Sequence, residues 1–239
     1  MSASRGAGSE NAAEMLPARE TEGERRADAS GRGSAGDEGG APGAQLIIIS
    51  GPSGVGKDTI IQALRRRSGP DKFHYVVTCT TRGLRPGEVD GVSYQFVDRA
   101  RFEALHRDGE LLEANEVHNN LYGTPRGQVR EALAAGRDVV LKIDVQGAQK
   151  IKELVPDALL IFLVPPSQED LFQRLRSRAT ETADELELRQ RNAAVELARQ
   201  GDYDHVVVNE TGQVERTAAE IDAIIGQEKA RHPTRRLKV

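Results

Sequence analysis

Four continuous apolar runs punctuate the chain: residues 45–50 (QLIIIS), 138–144 (DVVLKID), 158–164 (ALLIFLV) and 205–209 (HVVVN). Each has the length of a strand and lacks the alternation of a half-exposed one, so each predicts a strand buried on both faces. The stretches between them read as helices. IIQALRRR follows the first run, Thr124 precedes a Pro125 at the first helical position, and Ser167 stands three residues before Asp170 in a near capping box. Strands and helices in alternation predict an α/β fold, a parallel sheet covered on both faces. Residues 76–123 break the rhythm with Thr, Gly, Pro and aromatic residues, which predicts an inserted, β-rich subdomain. Residues 174–191 are charged, helix-like and free of aromatics, the pattern of a mobile flap. No internal repeat is visible.

Composition changes this picture at the N-terminus. Residues 1–44 hold nine Gly, one Leu and no Val, Ile, Phe, Tyr or Trp. Such a segment cannot bury enough surface to offset its ordering entropy, so residues 1–44 are predicted to be a disordered extension. The domain is predicted to span residues 45–232, with a short tail at 233–239. Net charge is −4, of which the extension supplies −3 (5 Arg against 8 acidic residues) and the remainder −1 (28 basic against 29 acidic). A near-neutral domain argues against nucleic acid as a partner. No apolar run approaches the ~18 residues of a membrane helix, so no membrane partner is expected. The lone cysteine, Cys79, excludes an internal disulfide framework and a cysteine-based zinc site. Without an early apolar stretch of secretory type, residence in the cytoplasm is expected. Homo-oligomerisation is left open.

The first strand runs directly into Gly51, Pro52, Ser53, Gly54, Val55, Gly56, Lys57, Asp58 and Thr59, and a helix follows. In that context glycines let backbone N–H groups converge on phosphate oxygens, the helix N-terminus adds positive potential, and Lys57 reaches the terminal phosphates. The loop implies ATP or GTP and does not choose between them. Position 58 departs from the usual pattern, which has a Ser or Thr hydroxyl near Mg²⁺; here it is Asp.

A second cluster lies downstream. Arg82, Arg85, Tyr94 and Tyr122 are donors suited to a phosphate monoester. Glu113, with Thr78 and Thr124, suggests a base. Guanine presents N1–H and an exocyclic N2 amine side by side, which one carboxylate accepts together, while its O6 takes a donor such as Thr124. Adenine reverses that pattern and leaves the carboxylate unpaired.

From residue 45 to about 231 the chain resembles the guanylate kinase family. GPSGVGK, TTRGLRPGEVDGVSYQFV, YGT, IDVQG and PPSQEDLFQRL occur in the family's order. The resemblance implies a P-loop nucleoside monophosphate kinase fold. Its parallel-sheet core would carry an inserted β-rich GMP-binding part at about 76–125 and a helical lid at about 166–195. It implies ATP-dependent phosphorylation of GMP, and of dGMP, with Mg²⁺ accompanying ATP. By match, Arg82, Arg85, Tyr94 and Tyr122 hold the GMP phosphate, and Thr78, Glu113, Thr124 and Asp144 surround guanine. Arg174, Arg178 and Arg189 match lid arginines that act with Lys57 and Arg82 in catalysis, and Asn209 matches a residue near adenine. The lid departs from the family's pattern at Ala179, where Gly is common. Two rivals are ribose 1,5-bisphosphate phosphokinase, similar in its Lys57-Asp58 pair but not expected to keep the guanine-reading set, and a non-catalytic guanylate-kinase-like interaction module, usually marked by a degraded loop. Two departures fall together: Asp58, and Lys142 where an acid is common before Ile143-Asp144. A carboxylate gained at 58 would supply a metal-facing oxygen, and Lys142 would pair with Asp58 or lean toward phosphate.

Overall fold

Residues 39–69, 71–85, 87–117, 119–176 and 183–239 are described by a computed structural model, the first three of the last stretch by backbone alone. In chain order the elements are β1 (Leu46–Ser50), α1 (Lys57–Ser68), β2 (Phe73–Tyr75), β3 (Cys79–Thr80), β4 (Gln95–Phe96), α2 (Arg99–Arg107), β5 (Leu111–Val117), β6 (Asn120–Pro125), α3 (Arg126–Ala134), β7 (Asp138–Lys142), α4 (Val145–Leu154), β8 (Leu159–Val164), α5 (Gln168–Arg176), α6 (Ala183–Leu197), β9 (His205–Val208) and α7 (Val214–Arg231).

The four apolar runs become β1, β7, β8 and β9, but β9, expected to be buried on both faces, is an edge strand with Val206 and Val208 exposed. With β2 they form a sheet of order β2-β7-β1-β8-β9, every neighbouring pair parallel. β1 is buried along its whole length because both faces are covered. Ile47 and Ile49 enter a hydrophobic cluster with residues of α1, α5, α6 and α7, while Leu46 and Ile48 enter another with α3 and α4. The C-terminal ends of these strands point to one edge, where open α/β sheets bind their ligands.

The insertion is a second sheet of order β4-β3-β6-β5, antiparallel except for β3 beside β4. Its own cluster of buried residues is Cys79, Phe102, Leu105 and Leu111, supplied by the strands and α2. Asp98 caps α2 by accepting the Arg101 N–H at 2.7 Å. No helix among the described residues is long and apolar enough to cross a membrane.

Three sequence-based expectations need correction. Helix α3 begins at Arg126, and Pro125 is its N-cap residue, still the last residue of β6. The extension does not run to residue 44: Gly40 N donates to Leu237 O at 2.7 Å, Ala41 N to Leu133 O at 2.9 Å and Gly43 N to Arg235 O at 2.9 Å, with Ala44 buried. Nor are residues 233–239 a loose tail, since Leu237 is buried in the α3–α4 cluster and Lys238 bridges to Gly39. Small residues at 39–44 make this close approach feasible, which composition alone reads as a failure to fold. Residues 1–38 lie outside the described residues.

Candidate active site

The loop between β1 and α1 is shaped by what a side chain would strike. At Gly51 (φ +143°) a Cβ would lie 2.4 Å from Leu163 O, and at Gly56 (φ +102°), just before α1, 2.6 Å from Asn209 Nδ2. Both positions therefore require glycine. Lys57 opens α1 and folds back on the loop, its Nζ donating to Gly51 O at 2.6 Å and Pro52 O at 3.1 Å. Burial pushes this amine below its ordinary value, and the charges of Glu196, Asp144 and Asp58 pull it partly back.

Helix α6 lays two charged groups on the loop. Ser53 N donates to Glu196 Oε2 at 3.0 Å, and Arg189 Nη2 donates to Ser53 Oγ at 3.2 Å. One backbone N–H of the loop thus already has an anion. Arg174 turns instead to the underside of the loop, donating to Val55 O and Asn209 O, each at 3.1 Å, and to Thr211 Oγ1 at 2.8 Å. Asn209 is buried and donates to Val55 O at 2.7 Å. It props the loop from beneath and is not among the residues that line the cleft. Arg178 lies outside the described residues.

A cleft of about 490 Å³ separates this loop from the inserted sheet, within the usual size for a small-molecule site. Gly51, Ser53, Lys57 and Asp58 line one wall; Thr78, Arg85, Tyr94, Glu113 and Tyr122 line the other, with Asp144 at its base. Glu113 and Thr124 are direct cross-strand partners in β5 and β6, which sets Thr124 Oγ1 to donate to Glu113 Oε1 at 2.7 Å. Asn115 Nδ2 donates to the other oxygen at 2.5 Å. Burial raises the Glu113 carboxyl to about 7 despite the Thr124 bond. Gly147, in the first turn of α4, leaves room for this: a Cβ there would lie 3.2 Å from Glu113 Oε2. Asp144 caps the same helix, its Oδ1 accepting Gln146 N at 2.8 Å and Gly147 N at 3.0 Å.

Arg82 spends both ends of its fork on Glu88, at 2.7 and 3.0 Å, and lies over the Tyr94 ring with 5.3 Å from Cζ to the centroid. Lys142, at the end of β7, donates to Asp58 Oδ1 at 2.5 Å, and its Nζ sits 4.5 Å from the Tyr94 centroid. Burial opposes the charge of Lys142, but Tyr94 and Asp58 outweigh it and hold the amine above its ordinary value.

No group of three His, Cys, Asp or Glu side chains among the described residues could hold a metal alone. A single carboxylate such as Asp58, which lines the cleft beside the loop, fits an Mg²⁺ that arrives on a polyphosphate, since that ion keeps phosphate oxygens and waters as most of its ligands.

Sequence reasoning missed Glu196, Glu88 and Asn115. Glu88 stands within a motif that was read for its arginines. Glu196 meets Ser53 across 143 positions, and Asn115 carries no motif; neither partnership has a periodic signature.

Comparisons with known proteins agree with the geometry. The family model described as Guanylate kinase matches residues 43–228. Guanylate kinase of Mycobacterium bovis is 46% identical over 183 residues, 76% of this chain and 86% of the relative. That of Symbiobacterium thermophilum is 48% identical over 187 residues, 78% and 86%. A crystal structure of guanylate kinase from Anaplasma phagocytophilum superposes with a TM-score of 0.65 at 33% identity, covering 79% of this chain and 88% of that one.

Proposed function

The chain belongs to the guanylate kinase family and is an ATP:GMP phosphotransferase, and from that premise we propose how its two walls divide the work. The β1–α1 loop takes the ATP phosphates on its backbone N–H groups, with Lys57 on the β and γ oxygens. Arg82, Arg85, Tyr94 and Tyr122 take the GMP phosphate. Guanine lies against Glu113, Thr78, Thr124 and Asp144. Asp58 would hold the Mg²⁺ that accompanies ATP, which would supply neutralisation of phosphate charge.

The observation that carries the assignment is Glu113, buried and lining the cleft, with Thr124 behind it donating to Oε1 at 2.7 Å. Its carboxylate would accept N1–H and N2–H together, and the Thr124 hydroxyl would have to turn from Glu113 to donate to O6. The reaction needs no covalent enzyme intermediate. A GMP phosphate oxygen forms a bond to the γ-phosphorus as the bond to the departing ADP oxygen breaks. The protein contributes alignment and neutralisation of charge spreading over the transferred group. Arg189, already on Ser53, is the lid cation at hand, and closure of the lid over the loop excludes water that would hydrolyse ATP. None of the assigned groups is addressed to the ribose 2′-hydroxyl, so dGMP is a substrate as well. The enzyme would serve purine nucleotide metabolism and GMP recycling in the cytoplasm.

ADP release with ATP and Mg²⁺ is to be followed in parallel with GMP, dGMP, AMP and ribose 1,5-bisphosphate. Turnover is expected with the two guanine nucleotides. Equal turnover of AMP, or turnover of the ribose bisphosphate alone, overturns the assignment.

A further inference from the structure

The groups expected to neutralise the transferred phosphoryl are engaged away from the middle of the cleft. Arg82 is forked onto Glu88, Arg174 lies beneath the loop, and Lys57 is turned to the Gly51 and Pro52 carbonyls. Lys142 is placed differently. It pairs in register with Ile49, at the strand ends where the sheet presents its ligand. Its ammonium reaches both walls at once: Asp58, next in sequence to Lys57, on one side, and the ring of Tyr94 on the other. Its side chain is mostly buried whereas that of Asp58 is 70% exposed, so the two partners differ in how tightly the fold fixes them. Lys142 is anchored in the cleft and Asp58 is held from its rim.

We propose that Lys142 is a catalytic cation of this chain, which leaves Asp58 when both nucleotides are bound and donates to an oxygen of the phosphoryl group passing between them. This rests on the assignment of the two walls to ATP and GMP. Lys142 neither gives nor takes a proton in the step. One P–O bond forms to GMP, one breaks to ADP, and the ammonium offsets charge on the equatorial oxygens while that happens. A cation that meets charge developing only in the transition state acts on kcat and leaves ground-state affinity nearly unchanged.

The competing role is local, in which Lys142 merely neutralises Asp58. K142M, K142R, D58S and the double variant D58S/K142M separate the two. Catalysis by Lys142 predicts that K142M lowers kcat by roughly 100-fold, the scale of losing one transition-state donor. KM values for ATP and GMP should stay within about threefold, and K142R should retain activity within about tenfold of wild type. The K142M loss should persist in the D58S background. Titration of K142M with GMP alone, giving near wild-type affinity, shows that the pocket is intact, and K142R carries the test independently if it is not. The proposal is overturned if K142M stays within about twofold of wild type in kcat, if its effect falls wholly on KM, or if D58S abolishes it. Failure of the underlying assignment looks different: wild-type protein then releases ADP without preference for GMP over AMP.

Discussion

The wall that carries the β1–α1 loop rises from a five-stranded parallel sheet with hydrophobic clusters on both faces, whereas the opposite wall stands on a four-stranded sheet whose own buried cluster is Cys79, Phe102, Leu105 and Leu111. Two strands of the second sheet are only two residues long, and Leu84, Val89 and Val92 around it are exposed. The walls solve recognition in different ways. On the proposed assignment the loop would meet phosphate with backbone groups whose path is forced by Gly51 and Gly56, so its precision would derive from the large core behind it. The insertion would meet a base through Glu113, which Thr124 and Asn115 hold by hydrogen bonds where there is little core to hold it. A small core lets this part move as a unit against the larger one, and buried polar pairs give it selectivity that apolar packing lacks.

Replacing Lys57 with Met strikes the first wall hardest. A loss of kcat on the order of 10³-fold is expected, with the melting temperature unchanged, because the amine bonds only to the loop itself. A large stability loss would show that the loop depends on Lys57 for its shape. Phe102→Ala tests the second wall's foundation. Truncating this residue typically costs about 3 to 5 kcal/mol locally. Amide exchange should then accelerate across β3 to β6 while the parallel sheet keeps its protection, and uniform acceleration would mean that the two sheets open together.

Glu113→Gln probes the polar pairs. The amide cannot accept both guanine N–H groups, so kcat/KM for GMP should fall roughly 5 to 150-fold, the cost of an unmatched buried group. Titration of the native carboxyl gives the same information by pH. Glu113 must be ionised to bind guanine, and burial has raised its carboxyl from 4.5 to about 7. In wild type kcat/KM for GMP should therefore drop as pH falls through about 7, and in Glu113→Gln that inflection should vanish. The sign is opposite for the unliganded fold. Burial favours the protonated form, so stability is lost as pH rises from 4.5 toward 7, where the charge must be held inside. The smallest effects belong to the N-terminus. Removing residues 1–38 should change neither melting temperature nor KM, whereas removing 1–44 also deletes the Gly40, Ala41 and Gly43 bonds and should cost about 1 to 3 kcal/mol.

What could be read from sequence follows the same division. β1, β7 and β8 were legible to within a residue or two because a strand buried on both faces is written as an unbroken apolar run, whereas β9 was legible in extent but not in burial, its valines reading as core although the edge position leaves two of them exposed. β2 was not, since three residues carry too little pattern, and β3 and β4 exist only through pairing with distant partners. The lysine, the glycines and most of the guanine set were legible through motifs, and the fold brings Thr78, Glu113, Tyr94, Tyr122 and Asp144 to one cleft. The roles of Arg174 and Asn209 in propping the loop were not, because their targets are backbone carbonyls, which any sequence supplies. The Lys142–Asp58 pair was legible as two departures that a parallel sheet places side by side.

Glu196 on the Ser53 N–H means that this protein carries a tethered competitor for its own phosphate site. Being on the same chain, the carboxylate faces the loop at a local concentration that a free anion in solution rarely matches. If the loop takes ATP as proposed, a lone phosphate or sulfate would compete poorly with this carboxylate, and a triphosphate that also engages Lys57 and the helix terminus would displace it. Binding ATP would then be an exchange of one anion for another. The field around the loop changes less than it would on adding charge to an uncovered nest, and ATP affinity depends correspondingly less on ionic strength. On that reading a departing Glu196 would pull on α6, which carries it, and so would couple nucleotide arrival to the lid.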